Sequence, residues 1–337
     1  MAKAGKAVKK ILKYGGVLLI VIIGLLIAIP YFFKDTILDE AKAFANEQIN
    51  ADLDFDNDQV SLSLLWTFPD FSFSIGDLTV TGKDEFEGKK LAEIGQFYFT
   101  LNMMDAYNGI YKINGITLSD ANLYVKVLKN GKANYDIMKP SDAPVEEPTT
   151  EEPVGDSDME LKIKYWEIEN TNLIYDDRTA EMYVEAKNFN HSGSGDFSTT
   201  IFDLETETSI EALTVAMGKV SYLKKANIAI DFNANVDLNK KVYKIQDNSF
   251  RLNALVLKLD GEVAQPTEDD LKMDLKFNAP NTAFSEVLSM IPAAYTKDFS
   301  SVQTKGDFKF NGHAKGIYNS KKETLQFFLI RFLIPVR

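Results

Sequence analysis

The sequence predicts a mainly β protein, in which a long antiparallel meander with a few short helices follows a single N-terminal transmembrane helix. Three observations predict this class. Apolar and polar residues alternate with a period of two over most of the 337-residue chain. Turn pairs such as Asn-Gly and Gly-Asp separate the alternating runs. The N-terminus carries one long uncharged stretch. An apolar content of 45% is enough for a core in one or two domains.

The first 33 residues predict a basic cytoplasmic tail and a membrane anchor. Residues 14–33 carry no charge, and these twenty residues span about 30 Å as a helix, the thickness of a bilayer core. Five lysines in residues 1–13 predict a cytoplasmic N-terminus by the positive-inside rule. A cleaved signal peptide is the alternative, but its apolar region would be shorter and would end at small residues. The residues that mark the anchor are Tyr14, Leu18, Leu25 and Phe33.

Three regions follow the anchor. Residues 34–139 begin with a short amphipathic helix over residues 35–50 and continue as alternating strands. Residues 140–158 contain four prolines, seven acids and no basic residue, so they predict a solvated linker or loop. An insertion between neighbouring strands and a true domain boundary both fit this segment. Alternation resumes in residues 159–337, where one helix is predicted over residues 281–292.

Charge and composition limit the classes of function. The formal net charge is −12, and the tail lysines make the remainder of the chain still more acidic. Phosphate contact needs clustered Lys and Arg, so we expect no nucleic-acid partner. The absence of cysteine excludes disulfides, thiolate zinc sites and a cysteine nucleophile.

No catalytic or metal-binding motif is found in the sequence. Residues 52–63 have the acids of a calcium loop, but Asn57 and Ser63 stand where such a loop needs Gly and Glu. His191 and His313 lie in Gly/Ser/Asn-rich surroundings without a spaced partner, so we expect them at surface or turn positions. We therefore expect no enzyme activity, no cofactor and no metal.

The order of motifs in residues 1–140 resembles the start of AsmA-family proteins. A basic tail, one anchor and a short helix come first. A Phe-Pro pair then follows the first strand. The next strand ends in an I-x-x-L-x-V pattern of apolar residues. A weaker resemblance continues through residues 159–316. The residues that carry the resemblance are Phe68, Pro69, Ile75, Leu78, Val80, Leu91, Ala92, Glu93, Ile94, Ile113, Ile116, Leu118, Gly131, Asn134 and Tyr135.

The resemblance implies a protein that is anchored in the inner membrane, with most of the chain in the periplasm. Its sheet would curl into a groove with an apolar inside. Such proteins look like bridge-type lipid transporters linked to outer-membrane biogenesis, so membrane phospholipid is the implied partner. Each buried acyl methylene contributes about 0.8 kcal/mol, so a groove would hold lipid by area alone. Family members are often longer, and residues 326–337 are apolar without alternation. We therefore expect that the chain is cut before its natural end, although a buried edge strand also fits.

Periodicity alone fits an open groove and a closed β-sandwich core equally well, and the resemblance favours the groove. The alternative function is a scaffold or assembly factor that regulates the targeting of outer-membrane proteins by pairing with exposed strand edges. A membrane-anchored hydrolase is the third, and the missing motifs argue against it. The candidate groove residues are Phe71, Phe73, Phe97, Phe99, Leu101, Leu123, Val125, Ile228, Ile230, Phe232, Met273 and Leu275.

Overall fold

The structure is a computed structural model, and the residues it describes leave out the predicted anchor, the Phe68-Pro69 break and the 140–158 segment. No described helix combines the length and the apolar character that a bilayer crossing requires. The described residues are 35–36, 38–40, 42–63, 70–102, 104–105, 112–139, 162–197, 199–283, 307–321 and 324–333.

The described strands form one curled, mixed sheet of fifteen strands that does not close on itself. A short helix ends at residue 48 before the first strand, and 3-10 turns lie at Asn57–Gln59 and Asp84–Phe86. The strands are β1 (Ala51–Asp54), β2 (Val60–Ser63), β3 (Asp70–Gly82), β4 (Lys90–Asn102), β5 (Lys112–Val127), β6 (Lys162–Ile163), β7 (Tyr165–Asp177), β8 (Met182–Gly195), β9 (Ile201–Met217), β10 (Val220–Asp237), β11 (Val242–Leu252), β12 (Leu255–Ala264), β13 (Asp270–Ala283), β14 (Asp307–Asn319) and β15 (Thr324–Leu333).

Sheet neighbours are nearly always chain neighbours. The order is β1-β3-β4-β5-β7-β8-β9-β10-β11-β12-β13-β14-β15, with β2 beside β3 and β6 beside β5. The described pairs are antiparallel, except that β5 runs parallel to β6 and β7. The predicted antiparallel meander is therefore wrong at this one junction. The connection from Val127 to Lys162 returns the chain to the side of the sheet at which β5 begins. A parallel neighbour of β5 must start from that side.

The pairing register separates the sheet into an apolar face and a polar face, because residues directly opposite each other share a face. One row across the middle of the sheet is almost wholly apolar, and the row beside it on the other face is polar. The first row is Leu118, Ile168, His191, Thr208, Ile230, Phe250 and Leu257. The second row is Thr117, Glu167, Ser192, Glu207, Asp231, Ser249 and Lys258.

Positive-φ residues inside the strands mark bulges that keep the apolar residues on one side. In β3, Ile75 and Leu78 pack in one cluster although they lie three positions apart, because Asp77 between them has φ 50°. Asp and Asn enter this left-handed region more readily than most residues. Such irregularities bend a strand and increase its twist, which fits a curled sheet. The bulge residues within the described strands are Asp77, Asp120, Asn170, Asn188, Lys225 and Asp247.

The described residues contain two small clusters of buried apolar side chains, and neither extends across the sheet. Leu38 of the N-terminal helix packs with Val60 and Ile75, and Phe202 packs near Val236. A closed sandwich would cover the apolar face with a second sheet. The described strands instead belong to one open sheet, so the open arrangement describes this part of the chain.

Two other local predictions meet the structure here. Residues 281–283 continue β13, where Thr282 pairs with Phe308, so the helix predicted over residues 281–292 is wrong at its start. The remainder of that helix lies outside the described residues. Residues 324–333 form β15, which pairs with β14.

Asn248 is a buried polar residue beside the Asp247 bulge, with 1% of its surface exposed. Its side chain accepts a hydrogen bond from the Asn233 N–H and donates one to the Asn233 carbonyl at 3.1 Å. Asn248→Ala should lower the free energy of unfolding by about 2 kcal/mol, because both half-buried main-chain groups of Asn233 lose their partner. Denaturant unfolding followed by circular dichroism measures this change. Gln246→Ala, at an exposed position two residues away, should shift it by less than about 0.5 kcal/mol. Equal losses in the two variants would contradict the assignment.

Candidate functional site

The apolar side of the sheet, which carries Phe73, Phe99 and Ile230, is called the groove face below. Register places all twelve candidate groove residues on this face, in strands β3, β4, β5, β10 and β13. Each of the twelve side chains is half-buried, neither sealed in a core nor fully exposed. Side chains that shelter one another without a second layer above them have this intermediate exposure. That the groove face binds lipid stays a prediction.

Aromatic rings cover the groove face at the β3–β4 end. The Phe99 ring lies at its centre, with its centroid 5.3 Å from that of Phe73, 6.3 Å from that of Phe71 and 6.2 Å from that of Phe97. These tilted and edge-on arrangements are the ones that aromatic pairs prefer. The result is a broad apolar floor of four packed rings.

Two further aromatic rings lie flat across glycines of the neighbouring strand. A Cβ atom added to Gly193 would lie 2.1 Å from Cζ2 of Trp166, and one added to Gly312 would lie 2.0 Å from Cε2 of Phe277. The rings therefore occupy the space that a side chain at each glycine would fill.

A short hydrogen-bonded chain crosses the groove face beside this Trp166 ring. Its Nε1–H donates to Nε2 of His191 at 3.0 Å, and Nδ1 of His191 lies 2.8 Å from the Thr208 hydroxyl. The Phe189 ring stacks on the imidazole at an interplanar angle of 17°. The three polar groups therefore form one connected group within an apolar surface.

Both histidines lie within strands and are partly exposed, so of the expected surface or turn positions the turn alternative is wrong. His191 is half-buried in β8 on the groove face, and His313 is half-buried in β14 on the polar face. Their small polar neighbours are not turn residues. Ser192 and Ser194 alternate with groove-face positions in the register of β8, and Gly312 makes room for a ring.

The polar face carries cross-strand ion pairs and an acidic recess. Asp274 of β13 lies 2.6 Å from both Lys315 and His313 of β14. Hydrogen bonds from Lys315 first and His313 second hold the pKa of the Asp274 carboxyl at about 2. A recess of about 350 Å³ elsewhere on this face is lined by Glu205, Glu207 and Asp231 among others. No group of His, Asp and Glu suited to a metal ion is found in the part of the chain that the structure describes.

The acids of the calcium-like stretch have lysine or backbone partners. Asp54 pairs with Lys42 at 3.1 Å, and Asp52 pairs with Lys83 at 2.7 Å. The Asp56 side chain accepts a hydrogen bond from a backbone N–H and caps the 3-10 turn at Asn57–Gln59. These contacts give the acids a structural role at the start of the sheet.

The Gly131, Asn134 and Tyr135 motif has a structural explanation. Gly131 has φ 85° in the turn after β5. The buried Asn134 side chain accepts from the Lys126 N–H at 2.8 Å and donates to the Tyr124 carbonyl. The chain that follows this turn pairs with the residues that precede β1, through an isolated bridge between residues 49 and 138. The motif therefore ties the end of β5 to the beginning of the sheet.

The sequence did not reveal the centre of the groove face. Strand β9 was not predicted, because Thr206 and Thr208 stand at the positions where its alternation should be apolar. Thr is β-branched and favours strands, so its alternation with acids in residues 203–208 was the signal available. Groove-face residues missed in this way are Trp166, Ile168, Phe189, His191, Thr206, Thr208 and Ile210.

The described strands therefore define a mainly β protein with one open, curled sheet that has an apolar face. The model of the AsmA family matches residues 6–287 of this chain. The match covers well over half of the chain, so the protein belongs to the AsmA family, as the motif resemblance predicted. No curated protein and no solved structure gave a significant match to the chain.

Proposed function

We propose that this protein holds phospholipid on its groove face and passes it along the sheet. The apolar face itself supports this proposal most directly. It extends across the described strands from β3 to β14, and no second sheet among the described residues covers it. Each acyl methylene that leaves water for such a surface contributes about 0.8 kcal/mol, so binding needs no reactive group. Catalysis is not part of the proposal.

The dimensions of the sheet favour transfer over storage at one point. Thirteen strands follow one another along the sheet, and neighbouring strands lie about 4.8 Å apart. Measured across the strands, the sheet is therefore roughly 60 Å wide, about twice the thickness of a bilayer core. A surface of this length accommodates several lipids in succession.

The charges of the chain support a periplasmic location on an inner-membrane anchor. Residues 14–33 are long enough to span a bilayer, and the lysines of residues 1–13 favour a cytoplasmic tail. The polar face carries acids such as Glu167, Glu207 and Asp231, which belong in water. We therefore propose a role in outer-membrane biogenesis, with membrane phospholipid as the partner.

Photocrosslinking in living cells tests the proposed lipid contact. Crosslinkable amino acids at Phe99 and Phe232 should capture phospholipid when intact cells are irradiated before the full-length protein is purified. The same groups at Tyr98 and Asp231, one residue away on the polar face, should capture several-fold less. Mass spectrometry of the purified adducts identifies the captured lipid. Equal capture on both faces, or none at Phe99 and Phe232, would refute lipid binding by the groove face.

The second candidate function is a scaffold for outer-membrane proteins, and the open sheet favours it. Among the described strands, β15 pairs only with β14 and β1 only with β3, and an open sheet of this kind presents backbone edges with which a partner strand pairs. A pull-down enriched in particular outer-membrane proteins, and unaffected by charges on the groove face, would support the scaffold instead.

A further inference from the structure

The hydrogen-bonded chain on the groove face determines the tautomer of His191. The indole Nε1–H of Trp166 is only a donor, so Nε2 of His191 must accept. The neutral imidazole therefore carries its proton on Nδ1, and this N–H donates to Oγ1 of Thr208 at 2.8 Å. Thr208 acts as the acceptor in this contact, which leaves its own hydroxyl proton for another partner.

No acceptor for that proton is found among the described residues. Thr206, two residues earlier on the same face, differs because its hydroxyl donates to the Phe232 carbonyl at 3.4 Å. Thr208 is half-buried, and its direct neighbour on β10 is the apolar Ile230. The hydroxyl proton is therefore left for water on the bare sheet, and a lipid that covers this part of the groove face replaces that water with an acceptor atom of its own.

We propose that Thr208 donates a hydrogen bond to an ester carbonyl of a glycerolipid that lies on the groove face. This inference rests on the proposed function and adds the class of lipid, which is an ester-linked glycerolipid. An ester carbonyl lies directly beside the apolar acyl chain, so it meets a donor that is surrounded by apolar residues. A headgroup phosphate is charged and strongly hydrated, so it belongs at the open side of the groove rather than on an apolar floor. Trp166 and His191 position the threonine through their hydrogen bonds.

The inference predicts selection of ester lipids over ether lipids. The probes are a diacyl glycerophospholipid and its dialkyl ether analogue, which has the same headgroup and chain length but lacks the carbonyl oxygens. Full-length protein in mild detergent should retain the ester lipid about fivefold better in direct competition, the effect of one neutral hydrogen bond. Thr208→Val removes the hydroxyl at nearly constant shape and should abolish this preference, so that the two lipids are retained equally. Thr208→Ser keeps the hydroxyl and should keep the preference.

The outcomes separate this inference from the proposed function. If the wild type binds both lipids equally, the inference is overturned while lipid binding stands. If Thr208→Val retains the preference, or Thr208→Ser loses it, the preference does not come from this hydroxyl and the inference is likewise overturned. If neither lipid binds, the proposed function itself fails. Preferential retention of the ester lipid that depends on the Thr208 hydroxyl supports both the inference and the proposed function.

Discussion

Ile230→Asp should reduce the phospholipid that copurifies with the full-length protein about tenfold or more. Ile230 lies near the middle of the groove face, where Thr208 of β9 and Phe250 of β11 lie directly opposite it. A carboxylate at this position keeps its hydration water, and an acyl chain that covered it would have to remove that water. A loss of only 1.4 kcal/mol per bound lipid corresponds to a tenfold change in affinity. Mass spectrometry of lipid per mole of protein measures the effect.

The matched control for this substitution is Ala229→Asp on the same strand. Ala229 faces the polar side, where Ser209 and Arg251 lie directly opposite it. Its carboxylate adds the same charge to the same strand but leaves the groove face unchanged, so the lipid content should stay within a factor of two of the wild-type value. Thermal unfolding of both variants checks that the sheet is intact. Similar lipid content in the two variants would argue against the groove face as the binding surface.

Gly193→Ala should obstruct the groove face by displacing Trp166. The added Cβ would lie 2.1 Å from Cζ2 of the indole, far inside van der Waals contact, so the ring must leave its position along the sheet. Gly193 pairs directly with Trp166, so the added methyl group points out of the sheet on the same face as the ring. The indole therefore moves upward, into the space above the groove face, and loses its hydrogen bond to His191. We expect several-fold less copurified lipid and a changed ratio of lipid crosslinks between Phe99 and Phe232.

Two further variants distinguish obstruction from general damage to the sheet. Gly195→Ala lies two residues along the same strand, and its nearest contacts at 3.4 Å leave room for a methyl group. It should retain wild-type lipid content. Adding Trp166→Leu to Gly193→Ala removes the displaced ring and should restore most of the lipid. If Gly195→Ala is equally defective, or the double variant is not restored, Trp166 does not obstruct the groove.

The alternation of residues predicted the strand content and much of the groove face, but it failed in the central strands. Phe71, Phe73, Phe97 and Phe99 alternate with polar residues, and the structure places them on one face. Around His191 the groove face contains Thr, Gly and His, which count as polar residues in a hydrophobicity pattern. Bulges such as Asp120 and Asn170 also shift the alternation by one residue, so a strict period of two assigns the far part of a strand to the wrong face.

The position of His191 shows why the local sequence does not predict the surroundings of a residue in a sheet. Its Gly/Ser/Asn neighbours indicated a surface or turn position, yet the residue lies half-buried within β8, and its hydrogen-bond partners come from β7 and β9. Trp166 lies 25 residues before it and Thr208 lies 17 residues after it. These hydrogen bonds depend on strand register, and register is a property of the assembled sheet.

The sequence by itself determined that this chain is rich in strands, belongs to the AsmA family and has apolar residues on one side of its strands. Those properties follow from local periodicity and from the order of short motifs. The tertiary structure decided that β5 and β7 run parallel, that the described sheet stays open and that Thr208 lies between His191 and Ile230 on the groove face. These depend on how strands far apart in the chain pair with each other. Alternation alone is the same in an open sheet and a closed one.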